Sequence, residues 1–143
     1  MIDRAPVTEA VRAMLSKAVG KPCGVGALPT VNGNPASLPY LVLYPLGGEV
    51  DGAPLGDRSE DAHLVYQVTV VAGRTDQAEW VADRTRRALL DRVATGEWAH
   101  PLAVPSGRVW GRALIADDGA DPSSAGEGVV TYALRVQLSV GRT

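Results

Sequence analysis

Residues 129–140, VVTYALRVQLSV, alternate without a break between apolar and polar or small positions. Val130, Tyr132, Leu134, Val136, Leu138 and Val140 fall on one side, and Thr131, Ala133, Arg135, Gln137 and Ser139 on the other. Successive side chains of a strand point to opposite faces, so the pattern predicts a strand with one dry and one wet face and fixes its register. At about 3.3 Å per residue the run would span about 40 Å, beyond the usual strand length. A half-wet strand that long in a small chain needs something to pair with, cover or line.

The same alternation returns over 64–72, LVYQVTVVA, with Leu64, Tyr66, Val68 and Val70 opposed to Gln67 and Thr69. Two further strands read less cleanly. Residues 40–46, YLVLYPL, form an apolar run that Gly47-Gly48 would end, with Pro45 restricting it to an edge or a strand end. Residues 108–116, RVWGRALIA, make a third main strand weakened by Gly111. Helical spacing governs two other stretches. Val7, Val11, Met14, Leu15 and Ala18 recur behind Pro6 until Gly20 and Pro22 interrupt. Val81, Thr85, Ala88, Leu89 and Val93 form the inward stripe of a second helix reaching about Ala94. Thr75 or Asp76 would cap that helix, Glu79 would complete a capping box, and Gly96 would stop it.

The connections are rich in turn formers. Residues 20–39 predict an irregular surface loop with a turn at Asn32-Gly33 and a small extended piece around Val31. Residues 98–107 are a connector in which Pro101 and Pro105 forbid helix and central strand. Two acidic, flexible loops are expected at about 47–63 and 117–128. The expected fold is a single α+β domain over 1–143, ordered α-β-β-α-β-β, with both helices on one face of a mainly antiparallel four-stranded sheet. The other sheet face is at least partly polar.

Composition narrows the function. At 143 residues the chain can bury a core without metal or disulfide, and its single cysteine, Cys23, permits no internal bridge and suits a reducing compartment. Net charge is -2, from 14 basic and 16 acidic residues, which argues against general nucleic-acid or membrane affinity. The start MIDRAPVTEAV lacks the layout of a signal peptide, and no apolar run is long enough to span a bilayer. With Phe absent, Trp80, Trp98, Trp110 and the four Tyr carry the aromatic packing.

Candidate chemistry is sparse. Asp57, Glu60, Asp61 and His63 could hold a divalent metal, but solvated loop charge is the plainer reading. Asp117, Asp118 and Asp121 lack the ligand spacing of a calcium loop. Cys23 has no local base and reads as a small packed thiol. Gly24-Val25-Gly26 has no flanking strand and helix to make a phosphate cradle, and His100 is a connector residue. Arg84, Arg86, Arg87 and Arg92 interleave with Asp83 and Asp91, so intrahelical pairing is the simpler account, with pairing to an acidic loop of a neighbouring subunit the other. Trp80 is off the inward stripe and is either rim packing or an exposed contact residue.

The succession VTEAVRAMLSKAV, PASLPYLVLYPLGG, HLVYQVTVVAG running directly into RTDQAEWVADRTRRALLDRV, and finally VVTYALRVQLSV resembles the tail terminator (tail completion) proteins of long-tailed bacteriophages. The resemblance covers nearly the whole chain and is one of element order and texture. It implies a structural virion protein, with no catalysis and no cofactor, assembled in the host cytoplasm into the tail-neck region. It implies a homo-oligomer, a hexameric ring that caps the tail tube, ends tube polymerisation and offers a docking surface for head-to-tail joining. Its partners would be the tail-tube protein, the head-tail connector protein and DNA passing through the lumen without specific binding, with no membrane contact.

In such a ring Gln67, Thr69, Thr131, Arg135 and Gln137 would face the lumen or a subunit contact. Trp80, Arg84 and Arg87 would form an interface helix. Glu49, Asp51, Asp57, Glu60 and Asp61 in one loop, with Asp117, Asp118 and Asp121 in the other, would serve assembly. Another head-tail connector or minor tail protein, a small non-phage binding module, and a metal-dependent hydrolase on the Asp57 to His63 cluster stay open as alternatives.

Overall fold

The computed structural model describes residues 2–51, 61–105, 107–123 and 125–142, with residues 49–51 and 125 described by backbone alone. Helix α1 (Arg4–Val19) is followed by strand β1 (Cys23–Val25) and a minimal hairpin, β2 (Thr30–Val31) and β3 (Asn34–Pro35). The long hairpin β4 (Tyr40–Asp51) and β5 (Asp61–Ala72) leads into helix α2 (Thr75–Leu90). A second long hairpin, β6 (Gly107–Asp121) and β7 (Val130–Arg142), completes the chain.

The main sheet has five strands rather than the expected four, in the order β1-β4-β5-β7-β6. β1 runs parallel to β4, and the other neighbours are antiparallel. The extra strand comes from CGV, within the segment expected to be loop. Three residues carry no alternation, and the main chain alone registers them: the Leu41 N–H donates to Pro22 O at 2.9 Å, and the Gly26 N–H to Leu43 O at 2.8 Å. The piece around Val31 is the small hairpin, turning at Asn32 and Gly33, whose φ angles are 52° and 81°.

The strands also run further than their sequence patterns. β4 passes through Gly47-Gly48 by a bulge between Pro45 and Gly48. A Cβ on Gly48 would lie 2.4 Å from the His63 carbonyl oxygen, so glycine is required for the two backbones to approach. β6 reaches Asp121 through three register shifts, so 117–121 is strand rather than loop. Likewise 47–51 and 61–63 belong to β4 and β5. Residues 52–60, with Asp57 and Glu60, lie outside the described residues.

Both helices cover one face of the sheet, as the alternation requires. The even-numbered residues of β5 and β7 from Ala62 to Ala72 and from Val130 to Val140 are buried and meet Val7, Val11 and Leu15 of α1 and Val81 and Leu89 of α2. Each Val or Leu side chain among them contributes about 1.5–3 kcal/mol by leaving water. Thr85, also fully buried, satisfies its hydroxyl on Val81 O at 2.9 Å.

α1 ends at Gly20, which takes the left-handed conformation and donates to Ser16 O. α2 stops at Leu90, four residues before the expected end, because Asp91 turns to extended backbone. Val93 is consequently outside the helix and 47% exposed. The expected capping box does not form, since Thr75 and Asp76 lie inside α2 and the N-cap is Arg74. Instead Gln77 Oε1 accepts the Gly73 N–H at 3.0 Å, and Asp76 pairs with Arg74. No helix among the described residues is long and apolar enough to cross a membrane.

Candidate assembly surfaces

The sheet face opposite the helices is uncovered over its two central strands. Register brings Gln67 opposite Arg135, Thr69 opposite Ala133, Val71 opposite Thr131 and Val65 opposite Gln137. All five polar residues singled out from the sequence thus share one face. Arg135 Nε donates to Gln67 Oε1 at 3.1 Å, and Gln67 Nε2 donates to Thr69 Oγ1 at 3.1 Å. Cross-strand side chains on one face are neighbours, and this chain of donors holds three of them in fixed orientation.

The face is less uniformly polar than the alternation implies. Val65, Val71 and Ala133 interrupt it, and Trp110 and Ile115 on β6 are 50% and 49% exposed. Trp110 lies over Gly141 and meets the His63 ring edge-on at 6.1 Å, while His63 Nδ1 bonds Ser139 Oγ at 3.0 Å. Sequence reading missed Trp110 and Ile115 as surface residues. Register shifts at Val109/Gly111 and Leu114/Ala116 change the parity of the strand, so alternation cannot assign them a face.

On α2, Trp80, Arg84 and Arg87 stand at i, i+4 and i+7 and form one stripe. Trp80 is 50% exposed, and the Arg84 guanidinium lies 4.8 Å from its ring centre. Arg87 is exposed. Arg86 instead turns toward the sheet, bonding Asp83, Asp117 at 3.0 Å and the Tyr132 hydroxyl at 2.9 Å. The Tyr132 hydroxyl donates to the same Asp117 carboxylate at 2.5 Å. Asp117 is therefore tied into the subunit that bears it. Asp118 is exposed, and Asp121 accepts the Ser123 N–H at 2.9 Å, which holds its carboxyl below the usual range. Asp61 is exposed at the start of β5. The side chains of Glu49 and Asp51, like the whole of Asp57 and Glu60, fall outside the described residues.

Arg112, unremarked in the sequence, braces the connector. It donates to Leu89 O at 3.1 Å and to His100 O at 2.7 Å, joining β6 to the last turn of α2. The Trp98 ring lies 4.7 Å from the Arg112 guanidinium and 3.9 Å from that of Arg92. Burial, with the Arg92 charge beside it, pushes the Arg112 pKa down to about 10, and the group stays charged at neutral pH. This is a structural strut, since the carbonyls at a helix C-terminus favour a cation.

Of the Asp57, Glu60, Asp61 and His63 cluster, only Asp61 and His63 lie among the described residues. Among the described residues no three of His, Cys, Asp and Glu are grouped to hold a metal ion. A groove of about 840 Å³ between α1 and residues 99–105 is lined chiefly by alanine and proline, with Glu9, Met14, Lys17 and His100 among the lining residues. Cys23 is buried, and burial pushes its pKa up to about 11 from an ordinary 9.0. Its alkylation at pH 8 in the folded protein is therefore expected to run about 100-fold slower than in urea, as read by mass spectrometry over time.

The linked effect on stability has a definite sign. The folded pKa is the higher, so the contribution is complete below pH 9.0 and is lost as pH rises toward 11. A Cys23→Ala variant should lack about 2–3 kcal/mol of that alkaline loss in urea titrations; an unchanged pH profile would contradict the assignment.

No protein-family model matches the chain, and no curated protein matches it. Among solved structures it is similar to a chain from the virion of a native gene transfer agent particle, 20% identical, with 96% of this chain and 93% of that one covered and a TM-score of 0.60. A second solved structure is 19% identical, with 94% and 92% covered and a TM-score of 0.45. At 20% identity the first likeness, which spans nearly all of both chains, establishes a shared fold.

Proposed function

We propose that the chain is a structural subunit of a phage-like virion, of the tail terminator kind. It forms a ring, expected to be hexameric, on the last tail-tube ring, ends tube polymerisation and presents a surface to the head-tail connector. The observation that carries this reading is the end-to-end likeness in fold to a virion chain. Two features of the surface support it: a sheet face left bare over long central strands, and an α2 stripe with an exposed Trp and two Arg. Domains of this size normally cover an apolar sheet face, and a bare one rich in Gln, Thr and Ser suits a wetted lumen or a subunit contact.

A lumen lined this way would let DNA pass. Phosphate affinity grows with the number of cationic contacts, and Arg135 is already engaged by Gln67. No reaction is assigned to the protein, and no cofactor. Deleting the gene from a producing strain and measuring tails by electron microscopy tests the reading. A terminator predicts overlong tails lacking heads. Tails of normal, fixed length would overturn it, and if headless would assign the chain to the connector instead.

A further inference from the structure

We infer that the acidic end of β6, residues 116–121, is a flap that opens as a unit while the rest of the sheet stays paired, and that Arg86 of α2 is the clasp that holds it shut. β6 is the last strand of the sheet and pairs with β7 alone. That pairing breaks register between Leu114 and Ala116, and again between Asp117 and Ala120. Beyond Leu114 there remain two pairs, Ala116 with Arg135 and Asp117 with Leu134, then two more, Ala120 with Tyr132 and Asp121 with Thr131. A ladder cut into such short lengths lacks the cooperativity that keeps a long one closed.

Apolar packing does not make up for the breaks. Leu114 is the last large side chain of β6 packed against the core, and beyond it Ala120 alone joins the margin of that core. None of residues 115–121 is buried. Nearer the start of β6, by contrast, Val109 is buried and Arg112 ties the strand to Leu89 O and His100 O.

Charge holds the flap instead. Arg86 Nη1 donates to Asp117 Oδ2 at 3.0 Å and to the Tyr132 hydroxyl at 2.9 Å, and that hydroxyl donates to Asp117 Oδ1 at 2.5 Å. Arg86 Nη2 pairs with Asp83, one helical turn back, which fixes the guanidinium on the helix. Among the described residues the Arg86–Asp117 pair is the one side-chain hydrogen bond that reaches from α2 to the flap. The two side chains are 27% and 36% exposed, so water competes for the clasp and salt screens it. Closed, the flap ends the sheet in a broken, acidic edge that resists pairing with another chain. Open, it bares the edge of β7 over 131–135, which pairs with β5 without a shift and is straight enough to take up a new strand.

Hydrogen exchange of the full chain, followed amide by amide by NMR and expressed as protection factors, tests the flap. In the unaltered chain the amides of 116–121 that bond β7 should be less protected than those of 108–114 that bond β7. Arg86→Gln and Asp117→Asn should each lower the protection of the flap amides about tenfold and leave the 108–114 amides within about twofold. The double variant should be no less protected than the weaker single, since either change removes the same clasp. Sodium chloride at about 1 M should lower flap protection about threefold in the unaltered chain and leave that of the variants unchanged. Flap amides as protected as those of 108–114, substitutions that affect both groups alike or neither, or a double variant whose two effects multiply, would overturn the flap. Should one single variant fold poorly, the other and the salt series decide.

Discussion

Leu134→Ala is expected to cost about 3 kcal/mol, while Arg135→Ala, one residue on, should cost less than about 0.5 kcal/mol. Leu134 is fully buried at the centre of β7, opposite the fully buried Val68, with α2 above. Truncation removes its transfer free energy and leaves a cavity, because strands held on both sides and a packed helix cannot close in. Arg135 is exposed, and its bond to Gln67 competes with water at every atom involved. For a chain of this size the first change should lower the melting temperature by about 6–12 °C and the second by no more than about 2 °C. Urea midpoints at constant slope give the same comparison. Equal losses at the two positions would mean that alternation does not assign faces here, and the lumen reading of Arg135 would go with it.

The contrast marks how far the sequence could be read. Where a strand runs unbroken, period-two alternation is an unambiguous signal, and it placed Gln67, Thr69, Thr131, Arg135 and Gln137 together correctly because β5 and β7 pair without a shift over the whole of their common length. Where a bulge intervenes, parity changes. In RVWGRALIA a strict alternation puts Trp110, Arg112 and Leu114 on one side. The shift at Val109/Gly111 sends Trp110 to the bare face and Arg112 to the helix side, where it finds Leu89 O and His100 O. Asp117 was legible only as an acid among glycines. Its bonds to Arg86 and Tyr132 depend on β6 continuing past the point where its apolar residues end. Strand length there is set by the partner, β7, and a partner's influence is not written in the local sequence.

Gly24→Ala is expected to be among the most damaging small substitutions in the chain, at about 2–3 kcal/mol, whereas Gly26→Ala should cost about 1 kcal/mol. A Cβ on Gly24 would stand 2.2 Å from Ala27 O and 2.9 Å from Pro29 N, both backbone atoms. The chain after β1 therefore crosses directly over Gly24, on the face shared by its partner Val42. Val42 is only 4% exposed although it lies opposite Thr69 on the side away from the helices, and this crossing accounts for its burial. From there residues 29–31 reach Arg12 and Ser16 of α1, with which they line a common cavity, so the segment wraps the β1 edge from one side to the other. A methyl group at 24 cannot be absorbed by a rotamer change; the wrap must move. Gly26 has φ 65° and open space around its Cβ position, so alanine there meets backbone strain alone. Urea denaturation of both variants gives the difference. Hydrogen exchange at the Gly26 N–H, which bonds Leu43 O, reports whether the wrap has lifted. A Gly24→Ala protein as stable as Gly26→Ala would show that the crossing is looser than its distances require.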